Sequence, residues 1–585
     1  MRPRSLFSLL LIPAFIMGCT SGKIQEPLEE KPLPRDFRVE KYTQYYEIDP
    51  ARNTLKSKQK IDLMNASEEE TNKMVFTLHP NLVIDHVMIR DFSGKEMSKE
   101  RWSKVGVRRI QRIWAGTSTD QFPVYEILTS KTIAPRQRLS FEIAYHLDPS
   151  FIVDNPQEMY ELTVSEKATY AIGPLTGHNP FFGRNIGAPF FLQIKHLKEL
   201  YTCAPGNLIS SKEENRFLID TYESKIPNIP TFSCARYKRT AREGENHRLE
   251  YYTYLDQEVT EAMVDFTFRV IDLYSKSFGD NGTREYRFAT VGKANSMKPG
   301  GENKGNTIFL TDFYTRLRNS WLLNLLVSIY TGGLSGETAD SLFISHELYH
   351  NWNLFYVRWS GDLYEWFGEG GANFASAWAV EQVVGPEAGA QARKHFLKQF
   401  IRNKGYEARH PLESVEKTGK AERALMYYYG AIVWEQLRRK MGDDSFFTAL
   451  REFYAENGFK ETTYEDLVAS LQERAGFDVR KFLSQWTNEN AKIKLSIGDV
   501  DIQPQGTGFR TRVELKVESE KDYDLVTTIG YQTSRKETLT IVPINIREKG
   551  KHVRRLDTRE RPTLIQIDPQ YSVPRINLDN CTWEE

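Results

Sequence analysis

The chain has 585 residues, and 40% of them are hydrophobic, which is enough to form the cores of about three or four domains. Its 78 basic residues balance its 78 acidic residues. The modest basic cluster at 551–561 reads as solvated surface, so the composition argues against nucleic acid as a partner. Nothing in it indicates an oligomeric state.

The N-terminus has the features of a bacterial lipoprotein signal. Two arginines precede an apolar run over 6–17, which is too short for a membrane span. The run ends in the sequence IMGC, which resembles a lipobox and implies diacylglycerol on Cys19 after cleavage. We therefore expect a signal peptide at 1–18, a lipid-anchored tether at 19–36, and a protein of the bacterial cell envelope, on the outer membrane or facing the periplasm. A plain signal peptide or a first core element is the alternative.

Residues 37–248 have the periodicity of strands. Apolar Leu139, Phe141, Ile143 and Tyr145 alternate with polar neighbours, and Gly, Pro and Asn separate several such runs. This pattern predicts an all-β N-terminal domain.

Four residues of this region invite a functional interpretation. Cys203 and Cys234 could bridge neighbouring strands in an oxidising compartment, or remain buried thiols; the sequence leaves both open. His79 and His178 are predicted to be structural histidines.

A helical stripe of apolar residues at 258–278 is predicted to open the next domain, followed by a strand at 286–291. The sequence GGEN at 300–303 comes next, and taken alone it is also consistent with a glycine-rich surface turn. The apolar segment at 318–337 is predicted to be a buried helix, or else a cap over a pocket.

The sequence HELYH follows at 346–350. His346 and His350 lie four apart and therefore on one face of a helix, a spacing that suits two nitrogen ligands of tetrahedral Zn²⁺. Glu347 can then act as general base toward a zinc-activated water. Glu365 and Glu369 are both candidates for the third ligand. An ordinary amphipathic helix with two polar-face histidines is the alternative.

HELYH followed after eighteen residues by Glu369 resembles the gluzincin zinc metallopeptidases of the aminopeptidase-N-like family. The sequence HNWN at 350–353 is similar to the HxWN of the related glycyl aminopeptidases. The resemblance implies a thermolysin-like catalytic domain with one zinc ion, held by His346, His350 and Glu369. Glu365 would then be a neighbour of the ligands.

Two further motifs acquire a meaning through this resemblance. GGEN resembles the family's exopeptidase motif, which implies substrate binding by Gly300, Gly301 and Glu302, with the glutamate on the peptide's N-terminal ammonium. MYYYG at 426–430 resembles the Y-x-K-G segment, which implies that Tyr427 donates a hydrogen bond to the oxyanion. Tyr428 is the alternative, because a tyrosine replaces the lysine of that pattern.

The remaining segments complete a multidomain α+β architecture. A catalytic domain at 249–400 is predicted to lead into a helical portion at 401–488, with Thr462 and Glu465 as a capping box. Alternation returns at 489–585 and predicts a C-terminal β-sandwich.

The predicted function is zinc-dependent hydrolysis of peptide bonds in peptide or protein substrates, by an aminopeptidase. A zinc endopeptidase is one alternative, since the exopeptidase motif is imperfect. A binding lipoprotein on an inactive peptidase scaffold is another, which the complete set of ligands and base argues against.

Overall fold

The computed structural model describes the chain from residue 36 onward, with gaps. The described ranges are 36–97, 103–111, 119–148, 162–165, 168–172, 178–182, 187–255, 257–291, 301–310, 334–361, 363–364, 366–415, 419–534 and 538–585. Cys19 with the predicted signal and tether, Gly300, Glu365, and 318–333 of the predicted apolar segment all lie outside the described residues.

Strands dominate the N-terminal part, as its alternating sequence predicts. A seven-stranded sheet has the order β12-β13-β10-β1-β2-β7-β4, and smaller sheets have the orders β3-β6-β5 and β11-β14-β9-β8. Their apolar faces enclose one hydrophobic core. The strands are β1 (Phe37–Asp49), β2 (Thr54–Asn65), β3 (Thr71–Thr77), β4 (Leu82–Asp91), β5 (Ser103–Gln111), β6 (Thr119–Ile133), β7 (Arg138–Leu147), β8 (Thr163–Val164), β9 (Ala168–Ala171), β10 (Ala188–Leu197), β11 (Tyr201–Cys203), β12 (Asn207–Glu214), β13 (Phe217–Asn228) and β14 (Phe232–Ala235).

Cys203 and Cys234 lie on paired strands but are free thiols. Cys203 pairs with Ser233, and Cys234 pairs with Thr202. Because successive side chains of a strand point to opposite faces, the two thiols face opposite sides of the sheet. Cys234 packs in the N-terminal core, whereas Cys203 packs against the next sheet.

The next sheet has five strands and contains residues 301–303 of the GGEN motif. Its order is β15-β16-β17-β19-β18, with β15 (Tyr237–Glu243), β16 (Arg248–Tyr254), β17 (Glu285–Thr290), β18 (Gly301–Lys304) and β19 (Thr307–Leu310). The predicted boundary at 248 falls inside this sheet, because β15 pairs with β16 as an antiparallel hairpin. The sheet therefore begins at Tyr237.

Helices pack beside this sheet and continue toward the C-terminus. They are α1 (Glu261–Phe278), α2 (Gly336–His350), α3 (Gly371–Val383), α4 (Pro386–Arg402), α5 (Lys420–Ala424), α6 (Gly430–Met441), α7 (Asp443–Asn457), α8 (Tyr464–Arg474) and α9 (Val479–Thr487). The capping box of α8 lies one residue later than predicted, on Thr463 and Asp466. In the part of the chain that the structure describes, no helix is long and apolar enough to cross a lipid bilayer.

The C-terminal residues form two small antiparallel sheets, with orders β22-β23-β26 and β25-β24-β27-β28. The remaining strands are β20 (Arg358–Trp359), β21 (Glu461–Thr462), β22 (Lys494–Gln505), β23 (Gly508–Glu518), β24 (Leu525–Gln532), β25 (Thr540–Ile546), β26 (Gly550–Thr558), β27 (Leu564–Ile567) and β28 (Thr582–Glu584). One continuous hydrophobic core runs from the five-stranded sheet β15-β16-β17-β19-β18 through the helices into these sheets. The multidomain α+β prediction is therefore confirmed, although the last three predicted domains share this core.

Candidate active site

Helix α2 places both histidines of HELYH on one face. Ser335 caps its N-terminus by accepting a hydrogen bond from the Thr338 backbone amide at 3.1 Å. At His350 the helix continues directly into a π-helical segment, Asn351–Tyr356. Such segments are rare and occur frequently at functional sites.

Two more π-helical segments carry the other candidate residues. Glu369 lies on Trp366–Gly370, and Tyr427 lies on Leu425–Tyr429. These two segments approach closely because Gly370 and Gly430 have no Cβ, and a Cβ on either would overlap Trp366. The Trp366 indole donates to the Gly430 carbonyl at 3.0 Å and holds them together.

The structure brings the three candidate ligands to one point. His346 Nε2 lies 3.2 Å from His350 Nε2 and 3.3 Å from Glu369 Oε2, and His350 Nε2 lies 3.8 Å from Glu369 Oε2. All three donor atoms lie within 4.8 Å of one another. Two donor nitrogens and a carboxylate oxygen therefore face the same small volume.

Two asparagines fix the histidine rings. His346 Nδ1 contacts Asn373 Oδ1 at 3.0 Å, and His350 Nδ1 contacts Asn353 Oδ1 at 3.2 Å. The Asn353 amide nitrogen donates to the carbonyls of Phe367 and Gly368, both at 2.8 Å, which turns its oxygen toward His350. Because an amide oxygen only accepts, each Nδ1 must donate, which leaves the lone pair of each Nε2 directed at the shared volume.

This geometry fits a tetrahedral zinc ion. With Zn–N bonds of about 2.05 Å, two nitrogens of a tetrahedron are separated by about 3.3 Å. The observed separation of 3.2 Å between the Nε2 atoms matches that edge. Two imidazole nitrogens and one carboxylate also form a typical catalytic zinc set with a fourth position open.

Glu347 is buried beside the ligands, at 5% exposure. Burial raises the pKa of its carboxyl to about 7, the charges of Glu369 and Glu302 act in the same direction, and His346 opposes them. Such a group exchanges a proton readily near neutral pH. The structure thus places the Glu347 carboxyl next to the candidate ligands.

Strand β18 runs along the ligand helix. The Asn303 side chain donates to the Glu347 carbonyl at 2.5 Å. A Cβ at Gly301 would overlap the Phe343 ring and would lie 3.2 Å from Glu347 Oε1, so this close approach requires glycine. In the described part of the chain β18 ends the sheet, which leaves its outer edge for a peptide backbone.

Glu302 projects from the other face of β18. Its side chain is 20% exposed, and its Oε1 is in ionic contact with Lys304 Nζ. Its Oε2 is buried and has no hydrogen-bond partner in the described residues. The carboxylate thus has one engaged oxygen and one open oxygen.

The three adjacent tyrosines take different positions. The Tyr427 ring stacks parallel to the His346 ring at a centroid distance of 6.5 Å. Tyr428 packs against Phe396, and the buried Tyr429 hydroxyl donates to the Trp486 carbonyl at 3.0 Å. The geometry therefore favours Tyr427 over Tyr428 for a role in the site.

Sequence analysis missed the asparagines that orient the histidines. Asn353 follows the second histidine by three residues and Asn373 follows Glu369 by four, so each could have been suspected from helical spacing. The Glu365 alternative for the third ligand lies outside the described residues.

Comparison with known proteins assigns this site to a family. Residues 324–486 match the peptidase family M1 domain. Aminopeptidase M1 of Arabidopsis thaliana is 32% identical over 176 residues, and aminopeptidase N of Lactococcus lactis subsp. lactis is 24% identical over 209 residues. This part of the chain is therefore similar to the aminopeptidase-N-like gluzincins.

These sequence matches cover only part of each protein. They cover 27% of the chain and 19% of the Arabidopsis protein, and 33% of the chain and 24% of the Lactococcus protein.

Solved structures show that the chain shares its fold with larger and smaller proteins. Legionella pneumophila aminopeptidase A, solved with aspartic acid, matches with a TM-score of 0.64 at 16% identity, covering 94% of this chain and 60% of its own. The M1 zinc metallopeptidase of Deinococcus radiodurans matches with a TM-score of 0.56 at 14% identity, covering 79% and 96%. The likeness extends through nearly the whole described molecule and supports the multidomain α+β fold.

Proposed function

We propose that the protein is a zinc aminopeptidase with one zinc ion held by His346, His350 and Glu369. The observation that carries this proposal is the convergence of two Nε2 atoms, each with its Nδ1 committed to an asparagine oxygen, on one carboxylate oxygen. These three residues would hold a zinc ion, which when bound would supply Lewis-acid polarisation of a scissile carbonyl and a water made nucleophilic at neutral pH.

The chain's own residues supply the proton transfers. Glu347 accepts the proton of the attacking water and delivers it to the leaving amine, a role suited to a buried carboxyl with a raised pKa. Tyr427 donates its hydroxyl proton in a hydrogen bond to the carbonyl oxygen as negative charge develops there. The stacked His346 and Tyr427 rings support this position.

Recognition of the peptide falls to strand β18. Its outer edge, at the end of the described sheet, suits pairing with an extended peptide backbone, and Gly301 permits close approach to Glu347. The open Oε2 of Glu302 suits the N-terminal ammonium of the peptide, since a buried carboxylate forms a strong charge-assisted hydrogen bond with it. Gly300, which the sequence motif includes, stays a sequence-based prediction for substrate binding.

A digest of paired peptides tests the activity. Purified, zinc-loaded protein is incubated with a peptide library and with the same peptides N-acetylated, and the products are identified by mass spectrometry. An aminopeptidase removes single residues from the free-amine set and leaves the acetylated set largely intact. Internal cleavage of both sets would establish an endopeptidase instead, and no cleavage of either would support the inactive binding scaffold.

We propose further that the protein is anchored to a bacterial membrane through diacylglycerol on Cys19. The lipobox-like IMGC sequence after an apolar run supports this proposal. Metabolic labelling with a radioactive fatty acid tests it, with Cys19→Ser as the variant. The wild type should carry label and sediment with membranes, and Cys19→Ser should do neither. Equal labelling of both would remove Cys19 as the anchor.

A further inference from the structure

Strand β18 presents a cation beside the carboxylate that is proposed to receive the substrate's amine. Glu302 and Lys304 are two residues apart on the strand, so both side chains lie on the same face. Lys304 Nζ contacts Glu302 Oε1. An ammonium group of the protein itself therefore already occupies one side of the proposed amine site.

Lys304 is held in this position by its surroundings. Its side chain is only 11% exposed. Its carbonyl accepts a hydrogen bond of 2.9 Å from the buried Asn228 side chain, which belongs to β13 of the N-terminal part. The following Gly305 has a φ of +69° and turns the chain into β19. The backbone is therefore fixed on both sides of a largely buried side chain whose ammonium contacts Glu302.

The charge of Lys304 reaches beyond this contact. It contributes to a lowered pKa of His178, after the larger effect of burial. Glu302 in turn contributes to the raised pKa of Glu347. The pair therefore lies between the N-terminal part and the catalytic base, in a region where charges act on one another over several ångströms.

We propose that Lys304 is a specificity-determining residue that weakens binding of the substrate's free amine. This inference rests on the proposed function of Glu302. A peptide ammonium bound to the open Oε2 would lie about 5 Å from Lys304 Nζ, and two like charges at that distance in a partly buried site repel each other. The pair has no net charge, so Lys304 cancels much of the attraction that Glu302 alone would exert.

Kinetics on Lys304→Met, with Lys304→Arg as a matched control that keeps the charge, test the proposal. The readouts are KM and kcat for a free-amine peptide, and Ki for its desamino analogue as competitive inhibitor. Lys304→Met should lower KM by on the order of tenfold and leave kcat and the desamino Ki within about twofold, because only the ammonium is repelled. Lys304→Arg should retain the wild-type KM.

Two results would overturn this role. A KM that rises in Lys304→Met would show that the lysine orients Glu302 for the amine. A parallel change of KM and desamino Ki would show that the substitution alters peptide binding along β18 as a whole and not recognition of the amine. Melting temperature and zinc content of each variant verify folding. If the wild type hydrolyses no peptide, the proposed function has failed; hydrolysis with a KM indifferent to Lys304→Met rejects this inference alone.

Discussion

Two charged clusters lie at the proposed active site, and they differ in how completely the protein supplies hydrogen-bond partners for them. At the candidate zinc site, Nδ1 of His346 and Nδ1 of His350 each donate a hydrogen bond to an asparagine oxygen. The opposite ring nitrogens converge with the Glu369 carboxylate. At the edge of β18, one oxygen of Glu302 is paired with Lys304, and the other is buried without a hydrogen-bond partner in the described residues. The first arrangement is preorganised for chemistry, whereas the second leaves a place for a ligand.

The largest expected effect on kcat comes from a change at the candidate zinc site. Glu347→Gln removes the base but keeps its size, so zinc content should stay at the wild-type level while kcat falls on the order of 10²–10⁴-fold. Initial rates on a free-amine peptide, together with zinc analysis of both proteins, measure this. Wild-type turnover in the variant would exclude Glu347 from the reaction.

A smaller loss should follow Tyr427→Phe, with Tyr428→Phe as the matched control. Loss of one oxyanion donor typically lowers kcat by on the order of 10²–10³. Because only Tyr427 stacks on a ligand histidine, Tyr428→Phe should keep wild-type kcat. The opposite ranking of the two variants would assign the role to Tyr428.

The asparagines sharpen the comparison further, since they contact the histidines of the candidate zinc site. Asn353→Ala should weaken zinc binding by about 10–100-fold, because His350 loses the acceptor that fixes its ring. Competition with a zinc chelator measures the affinity. Asn351→Ala is the control, since Asn351 is also buried but its side chain donates to the Leu348 carbonyl. Equal zinc affinity in Asn353→Ala and wild type would show that the hydrogen bond from His350 to Asn353 does not contribute to zinc binding.

Acid should destabilise the protein through the buried His178, on which the charge of Lys304 also acts. Burial lowers the pKa of His178 to about 4, below its ordinary 6.5. Between about pH 6.5 and pH 4, His178 is protonated in the unfolded chain but stays neutral in the folded protein. The free energy of unfolding therefore falls as the pH drops through this range. Between pH 7 and pH 5 this amounts to about 2 kcal/mol.

Urea unfolding at the two pH values measures this loss, with His178→Gln as the variant. The difference between the two pH values should shrink in His178→Gln by about that amount. An unchanged difference would show that other groups carry the acid sensitivity.

The sequence predicted those parts of the site that depend on local periodicity. The spacing of His346 and His350 alone places both on one helix face, and the structure shows them there. The choice of Glu369 over Glu365 needed the family resemblance, because it depends on where a distant segment returns. The orientation of Asn353 depends on its hydrogen bonds to the carbonyls of Phe367 and Gly368, whose positions only the folded chain determines.

Boundaries and pairings were harder to predict for the same reason. The strand pattern was correct for β15, but its partner β16 belongs to the catalytic sheet, so the predicted boundary at 248 divides a hairpin. The Cys203 and Cys234 question depended on a one-residue difference in strand pairing, which composition cannot show. The contact between Glu302 and Lys304 was not foreseen, because the predicted motif ended at 303.

Zinc analysis of stripped and reloaded protein tests the central claim most directly. Chelator-treated wild type is titrated with zinc while bound metal and hydrolysis of a free-amine peptide are followed together, beside His346→Ala, His350→Ala and Glu369→Gln. The account predicts that activity returns in proportion to bound zinc and is complete at one ion per chain, with loss of tight binding in all three variants. Full hydrolysis by the stripped protein, or tight stoichiometric zinc binding in all three variants, would contradict it.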